Sequence, residues 1–474
     1  MPLIVLAATV RTTVGFWDTG DLQTVAWIAG IPYPTGFPGY VLLGWLWTHV
    51  LPIGEPAARL NALSAFSIAW GAGSVCAIAL LFDVLPIFAI LGSWTFAFAH
   101  TVWQRAAYAD AHPVGFAFAF CAVACAVGWE RRSDARALVA GIVLAGCAVA
   151  IDNTTVLILI GGVVISVIRV WPRRALGAAA CALVIAAGTY AWLPWRSAQV
   201  TAQGRDPTLA LGVAPGRPYW DDHHPADREG FLDLVLGREW NAGPALGRVL
   251  TPRALHDAAE KIDPRLAQDL PQGLTVAAVL GLVILCGTAP LTVIGLLIAG
   301  ALPALFGGSY PVEADAGRYV FTLYAVLAVG IAVFADRAVR AFGARDPAPA
   351  AGIAVGLLAI VLARDALRAR DIIRDRTYAD ATTYTNRVVS ATLPDAIIVA
   401  QWDFATPLAY RAFVLRDIDR RVILTAFADD YAAEIRRWSR TRQVALIARE
   451  TPHLPGIAVR RAGSGDPGVF LVQP

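Results

Sequence analysis

The sequence predicts a polytopic α-helical membrane protein that carries a small soluble α/β domain at its C-terminal end. Three observations carry this expectation. Of the 474 residues, 57% are hydrophobic and only 16% charged, a balance foreign to soluble domains. Apolar stretches approaching the roughly 20 residues of a bilayer-crossing helix follow one another from Met1 to about Ala363. Beyond that point, charged sequence with helical periodicity alternates with short β-branched runs, the pattern of a small α/β fold. A net charge of +3 offers no surface for nucleic acid.

About eleven spans are expected, over residues 2–16, 58–82, 84–103, 111–129, 137–150, 154–170, 175–193, 273–288, 290–307, 318–334 and 350–363. The first is short, so the N-terminus reads as truncated or misassigned, and no cleavable leader is visible. Residues 36–52, "GFPGYVLLGWLWTHVLP", read as interfacial or re-entrant: the run is brief, carries Trp45, Trp47 and His49, and is bounded by Pro34, Pro38 and Pro52. Lys261 is the only lysine, so arginine reports topology. The Arg-rich short segments 129–136, 168–174 and 334–346 should face the cytoplasm. Counting outward puts 17–57, 104–110, 151–153, 194–272, 308–317 and everything after about 364 on the extracytoplasmic side. All six cysteines lie in apolar stretches, where they serve as small packing residues.

The acids collect on that outer side. Asp18, Asp21, Asp110, Asp152, Glu313 and Asp315 fall in or beside its loops, and ionisable residues near membrane depth mark functional sites. Two readings of "DTGD" at 18–21 stand side by side: a helix cap, or a carboxylate that takes a proton from a hydroxyl while a second group orients it or holds a metal. The long segment 194–272 opens with "WLPWRSAQ", setting Arg196 at the membrane surface. There its guanidinium is suited to a lipid phosphate, or simply to snorkelling. Further on, "YWDDHH" at 219–224 brings Trp220 and metal-ligand residue types without the usual ligand spacing. A divalent metal stays open as an option, and no other cofactor is indicated.

Several segments, in order, resemble glycosyltransferase family 117, the domain of unknown function 2723 family. "FWDTGDLQTVAWIAGIPYPTGFPGYVLLG" and "ARLNALSAF" are similar to its D-S-G-E, G-I-A-H-P-P-G-Y-P and R-x-N-x-x-S pattern. "WQRAAYADAHPVGF", "AIDNTTVLILI", "YAWLPWRSAQ", "YPVEADAGRYVFTLYA" and "LPDAIIVAQWDFATPLAYRAF" follow the family's later segments. Three positions depart from the pattern: Tyr33-Pro34-Thr35 stands for His-Pro-Pro, Asp21 for the glutamate of D-S-G-E, and Asp110 for a later glutamate.

The resemblance implies a GT-C-like fold and a membrane glycosyltransferase related to protein O-mannosyltransferases. Such an enzyme moves a sugar, mannose being one candidate, from a polyprenyl-phosphate carrier to an acceptor hydroxyl outside the cytoplasm, with inversion. It further implies Asp18 or Asp21 as the catalytic base. Arg196, with Arg318 and Arg105 as helpers, is expected on the donor phosphate. Tyr33, Pro34, Asn61, Asp110, Asn153 and Trp220 are expected around the cavity and acceptor. The implied partners are the lipid-linked sugar, a protein or glycan acceptor and the bilayer, with a bacterial inner membrane as the setting.

Residues 1–363 are thus expected to form the membrane domain, with external loops 17–57 and 194–272, and 364–474 an extracytoplasmic α/β domain with a parallel sheet. A lipid-linked glycan transporter or flippase is the alternative from another class, although no inverted repeat supports it. A catalytically inactive assembly protein is the third reading.

Overall fold

A computed structural model gives the fold. It describes residues 2–167, 169–208, 211, 220–238, 251–309, 317–341, 352, 356, 359, 363, 367, 369, 372–374, 380–425, 431–452 and 454–473. Glu313, Asp315 and most of the expected span 350–363 lie outside them. The residues form two compact units, each discontinuous in sequence. The first comprises 1–10, 62–190 and 241–375, the second 11–61, 191–240 and 376–474. The second therefore gathers most of both long loops together with the tail.

Five described helices are long and apolar enough to cross a bilayer: Pro56–Leu81, Ala111–Arg132, Arg173–Ala202, Pro290–Gly308 and Phe321–Ala341. Two bent pairs raise the total to as many as seven, and the chain is an integral membrane protein. The expectation of about eleven also counted the shorter apolar helices Ala135–Ile151 and Asn153–Ser166 and the stretch 2–16. That stretch is helical only over Pro2–Ala8, about 10 Å at the α-helical rise. The helix Pro38–Val50 in the questioned segment is 13 residues long, about 20 Å and too short for a straight crossing.

In the first unit, the expected span 84–103 is two helices, Pro86–Ala97 and His100–Ala106, bent by 69°. The expected span 273–288 follows an amphipathic helix, Pro252–Asp269, across a bend of 103°. One buried acid serves both bends. Asp269 ends its own helix, and its Oδ2 accepts from the Thr101 backbone N–H at 3.2 Å, satisfying a donor that the start of the His100–Ala106 helix leaves without an intrahelical partner. Glycines let helices approach closely: Gly161 lies against the Gly295 carbonyl, and Gly281 against that of Gly330.

The Arg173–Ala202 helix, whose residues from Ala191 on belong to the second unit, runs nine residues past the expected end at 193, through Pro194. A five-stranded sheet forms the tail, with β1 Ile397–Ala400, β2 Val422–Thr425, β3 Val444–Ala448, β4 Val459–Ala462 and β5 Gly468–Val472 in the order β2-β1-β3-β5-β4. The three strands legible as apolar runs, β1, β2 and β3, pair parallel as expected. The last two add an antiparallel edge. Its outermost strand, β4, reads Val-Arg-Arg-Ala, too charged to show as a strand and suited to an exposed sheet edge. Helix Trp402–Tyr410 joins β1 to β2, packing Phe404, Ala405 and Leu408 on Ile398 and Ile423.

Candidate active site

The opening acids sit on one helix of the second unit, Trp17–Ile28. Asp18 lies in its first turn, partly exposed, and its Oδ1 accepts from the Trp402 indole N–H at 3.3 Å. Asp21, one turn on, is fully buried, and its Oδ2 accepts from the Tyr33 backbone N–H at 3.4 Å. Gly20 between them has a physical cause. A Cβ there would lie 2.5 Å from the Gly15 carbonyl oxygen and 2.9 Å from Thr406 Oγ1 of the tail, so only glycine allows this contact. The Tyr33 ring meets Phe37 at 5.3 Å and Trp402 at 5.9 Å, both edge-on. Pro34 is buried in the same loop.

Asn61 is a buried clamp. Its amide donates to the Arg11 carbonyl, and its oxygen accepts from Gln23, each at 2.8 Å; Gln23 in turn accepts from Gly15 N–H at 2.9 Å. The backbone leading into Asp18 is thereby fixed from the start of the Pro56–Leu81 helix.

Arg196 sits at the end of the acid-bearing helix. Its Nε donates to the Ala29 carbonyl at 2.7 Å, its Nη2 to that of Ile28 at 3.1 Å and its Nη1 to Gln199 Oε1 at 3.4 Å. The guanidinium closes the C-terminal end of the acid-bearing helix, where a cation complements the exposed carbonyls, and it lies 6.0 Å from the Trp220 ring. Trp220 is itself buried and stacked on Phe413 at 5.1 Å, which makes it part of the packing.

Ile31 pairs with the segment at 220–222 through a bridge to Asp221. The Asp221 carboxylate accepts from Ser197 at 3.0 Å and meets His224 Nδ1 at 2.9 Å. Burial pushes the Asp221 carboxyl up, against the pull of His224, Ser197 and Arg196. Burial does the same at Asp206.

The first unit holds a second constellation. Asp110 caps the Ala111–Arg132 helix through the His112 backbone N–H at 2.9 Å, and the same oxygen meets the His112 ring at 2.8 Å. On the ring's other side, Nε2 lies 3.3 Å from the Tyr319 hydroxyl and 4.0 Å from Asp152 Oδ2. Arg105 reaches the second Asp110 oxygen at 3.6 Å. Burial works to raise the Asp110 carboxyl, but His112, Arg318 and Arg105 together hold it well below the usual carboxylate range. His112, Asp152, Thr154, Arg318 and Tyr319 line a small cleft. Asn153 adjoins it within the short turn 153–155, whose capping acid is Asp152.

The candidate residues thus divide. Asp18, Asp21, Tyr33, Pro34, Asn61, Arg196 and Trp220 belong to the second unit, and Arg105, Asp110, Asn153 and Arg318 to the first. Sequence reasoning passed over His112, Tyr319 and Trp402, although each stands inside a quoted segment. "DAHP" shows a cap acid two residues before an imidazole, which signals His112; the other two are brought in from distant chain. Among the described residues, no group of three or more His, Cys, Asp or Glu side chains is placed to hold a metal ion.

A bent-helix membrane unit with buried acid–arginine clusters, and a second unit joining loops to an α/β tail, define an integral membrane protein of GT-C fold. The chain superimposes on ArnT from Cupriavidus metallidurans in the apo state with a TM-score of 0.60, covering 99% of this chain and 96% of that one at 12% identity. The undecaprenyl phosphate-bound form of ArnT gives a TM-score of 0.52 at the same coverage and identity. In sequence, residues 18–174 match the family model of the protein O-mannosyl-transferase TMEM260 N-terminal domain. The protein O-mannosyl-transferase TMEM260 of Mus musculus is 28% identical over 149 residues, which cover 30% of this chain and 20% of the mouse protein. In fold the protein is GT-C, and over its N-terminal third it is protein O-mannosyltransferase-like.

Proposed function

We propose that this protein is a glycosyltransferase that moves a sugar from a polyprenyl-phosphate carrier to an acceptor hydroxyl on the extracytoplasmic face of a bacterial inner membrane. Mannose is the first sugar to test, because the mouse relative is named a protein O-mannosyl-transferase. The donor class is supported by the fold shared with ArnT, which has been crystallised with undecaprenyl phosphate.

The observation that carries the reading is Asp18. It is a partly exposed carboxylate in the first turn of a helix that is buried from Gly20 to Ala26, at the first position of the stretch that matches the family model. Asp18 takes the acceptor proton as the hydroxyl oxygen attacks the anomeric carbon, and the carbon–oxygen bond to the phosphate breaks with its electron pair leaving on the phosphate. Asp21, buried and held by the Tyr33 backbone, orients the acid-bearing turn. Arg318 and Arg105, beside Asp110 in the first unit, carry guanidinium groups of the kind that binds phosphate in bidentate fashion. Arg196 holds the helix end, since its nitrogens already meet carbonyl and amide oxygens. Inversion follows from a single in-line displacement.

The test uses purified protein in lipid, a panel of radiolabelled polyprenyl-phosphate sugars and a membrane extract as acceptor. Wild type should transfer one of them, and Asp18→Asn should lose about a hundredfold or more in turnover with donor binding unchanged. Full activity in Asp18→Asn would remove that residue from the mechanism, and loss in Asp21→Asn alone would transfer the role to Asp21.

A further inference from the structure

Asp18 does not stand on the loop alone. The residues on either side of it dock on the tail, on Phe404 and Thr406 of one helix and Tyr384 of another, all more than 360 positions away in sequence. Before it, Phe16 packs its ring on Tyr384 at 5.7 Å and on Phe404 at 6.4 Å. After it, Gly20 abuts Thr406 so closely that no side chain would fit. Between these contacts the first residue of the same tail helix, Trp402, donates its indole N–H to Asp18 Oδ1 at 3.3 Å. The indole is held in turn by the edge of the Tyr33 ring at 5.9 Å.

The helix that presents Trp402 is fixed from behind. Phe404, Ala405, Leu408 and Ala409 are buried in the core over the sheet, and the Phe404 carbonyl accepts from the Tyr384 hydroxyl at 3.0 Å. Asp403, next to Trp402, is itself buried and its carboxyl pushed up by that burial. A side chain in the first turn of a helix has several rotamers open to it. A base must instead be held within a fraction of an ångström of one geometry to act on an acceptor.

We propose that Trp402 is a positioning residue for Asp18, so that the tail domain completes the catalytic acid site. The inference rests on the reading of Asp18 as the base. Its consequence is that the tail contributes to turnover through one N–H group, beyond any contribution to stability.

The test compares Trp402→Phe and Trp402→Ala with wild type, as full-length proteins in lipid, using whichever polyprenyl-phosphate sugar the wild type transfers. Phenylalanine keeps an aromatic ring against Tyr33 and loses the N–H; alanine loses both. Both variants should lose about tenfold or more in kcat, the size of one hydrogen bond to a charged group. The donor KM and the melting temperature of Trp402→Phe should stay close to wild type. In an Asp18→Glu background, where the carboxylate is already displaced, Trp402→Phe should lower kcat by a smaller factor.

Wild-type turnover in Trp402→Phe, beside an inactive Asp18→Asn, would overturn this inference and leave the base assignment standing. An equal loss in the Asp18→Glu background would also overturn it, by placing the effect elsewhere. Full activity in Asp18→Asn, or no transfer by wild type from any carrier, would remove the base reading and this inference with it.

Discussion

Arg196→Ala separates two roles for the same cation. The sequence points to a guanidinium on the donor phosphate, whereas in the fold it spans two carbonyls at the end of the Trp17–Ile28 helix, at 2.7 and 3.1 Å. Each bond from a charged donor is worth about 1.5–3 kcal/mol, and the Trp220 ring at 6.0 Å adds about 0.5–1 kcal/mol. These terms share one side chain and do not add fully, so a loss of about 3–5 kcal/mol is expected. The direction is reinforced by Asp221, a buried carboxyl that Arg196 helps to offset.

Denaturant unfolding in detergent, followed by tryptophan fluorescence, measures the loss. Binding of undecaprenyl phosphate to the folded fraction measures the rival role. Destabilisation with unchanged lipid affinity is the expected result. Arg196→Lys should recover only part of it, because an ammonium cannot reproduce the planar fork across both carbonyls. A stability change under about 1 kcal/mol, together with a tenfold or greater fall in lipid affinity, would refute the helix-end role and return Arg196 to the phosphate.

Asn61→Ala should cost about 1–3 kcal/mol in the same unfolding assay, since it leaves the Gln23 amide and the Arg11 carbonyl without their buried partner; it should also lower turnover by loosening the approach to Asp18. The pH dependence carries two opposite signs. Asp206 and Asp221 are raised by burial, so above the unfolded value of about 4 the folded chain holds protons the unfolded chain has released, and stability falls as pH rises through their folded values. Asp206→Asn should therefore shrink the difference in unfolding free energy between pH 5 and pH 7. Asp110 is held low, so its contribution is complete above about pH 4 and fades as pH falls further; Asp110→Asn should lessen the acid-side loss below pH 4.

What could be read from the sequence follows from where the determining forces act. Membrane helices are set by local apolarity, which is why 58–82, 111–129 and 290–307 correspond to observed helices. The breaks at 98–99 and 270–271 depend on Asp269 reaching Thr101 across 168 positions, a contact that no window of sequence contains. Arg196 was legible as a cation near a helix end, but its partners, Ile28 and Ala29, are backbone carbonyls and have no sequence signature. His112 was within reach, because the acid that binds its ring lies two residues away; its other partners, Asp152 and Tyr319, are not local.

The departure from the family pattern at Tyr33 has a physical reading along the same lines. Where the pattern has histidine, the tyrosine ring turns to Trp402 and Phe37, while the backbone N–H of the same residue reaches Asp21. That polar contact needs no particular side chain, so it survives the exchange, and the ring is left to match whatever the tail presents. Phe16, Gly20 and Tyr33 all meet the same tail helix, so substitutions in the opening signature are tolerated or not according to that helix. A chimera carrying a relative's opening loop on this tail should lose turnover unless residues 402–406 are exchanged with it. Restored activity on co-exchange is the expected result, whereas full activity of the loop-only chimera would show that the two segments vary independently.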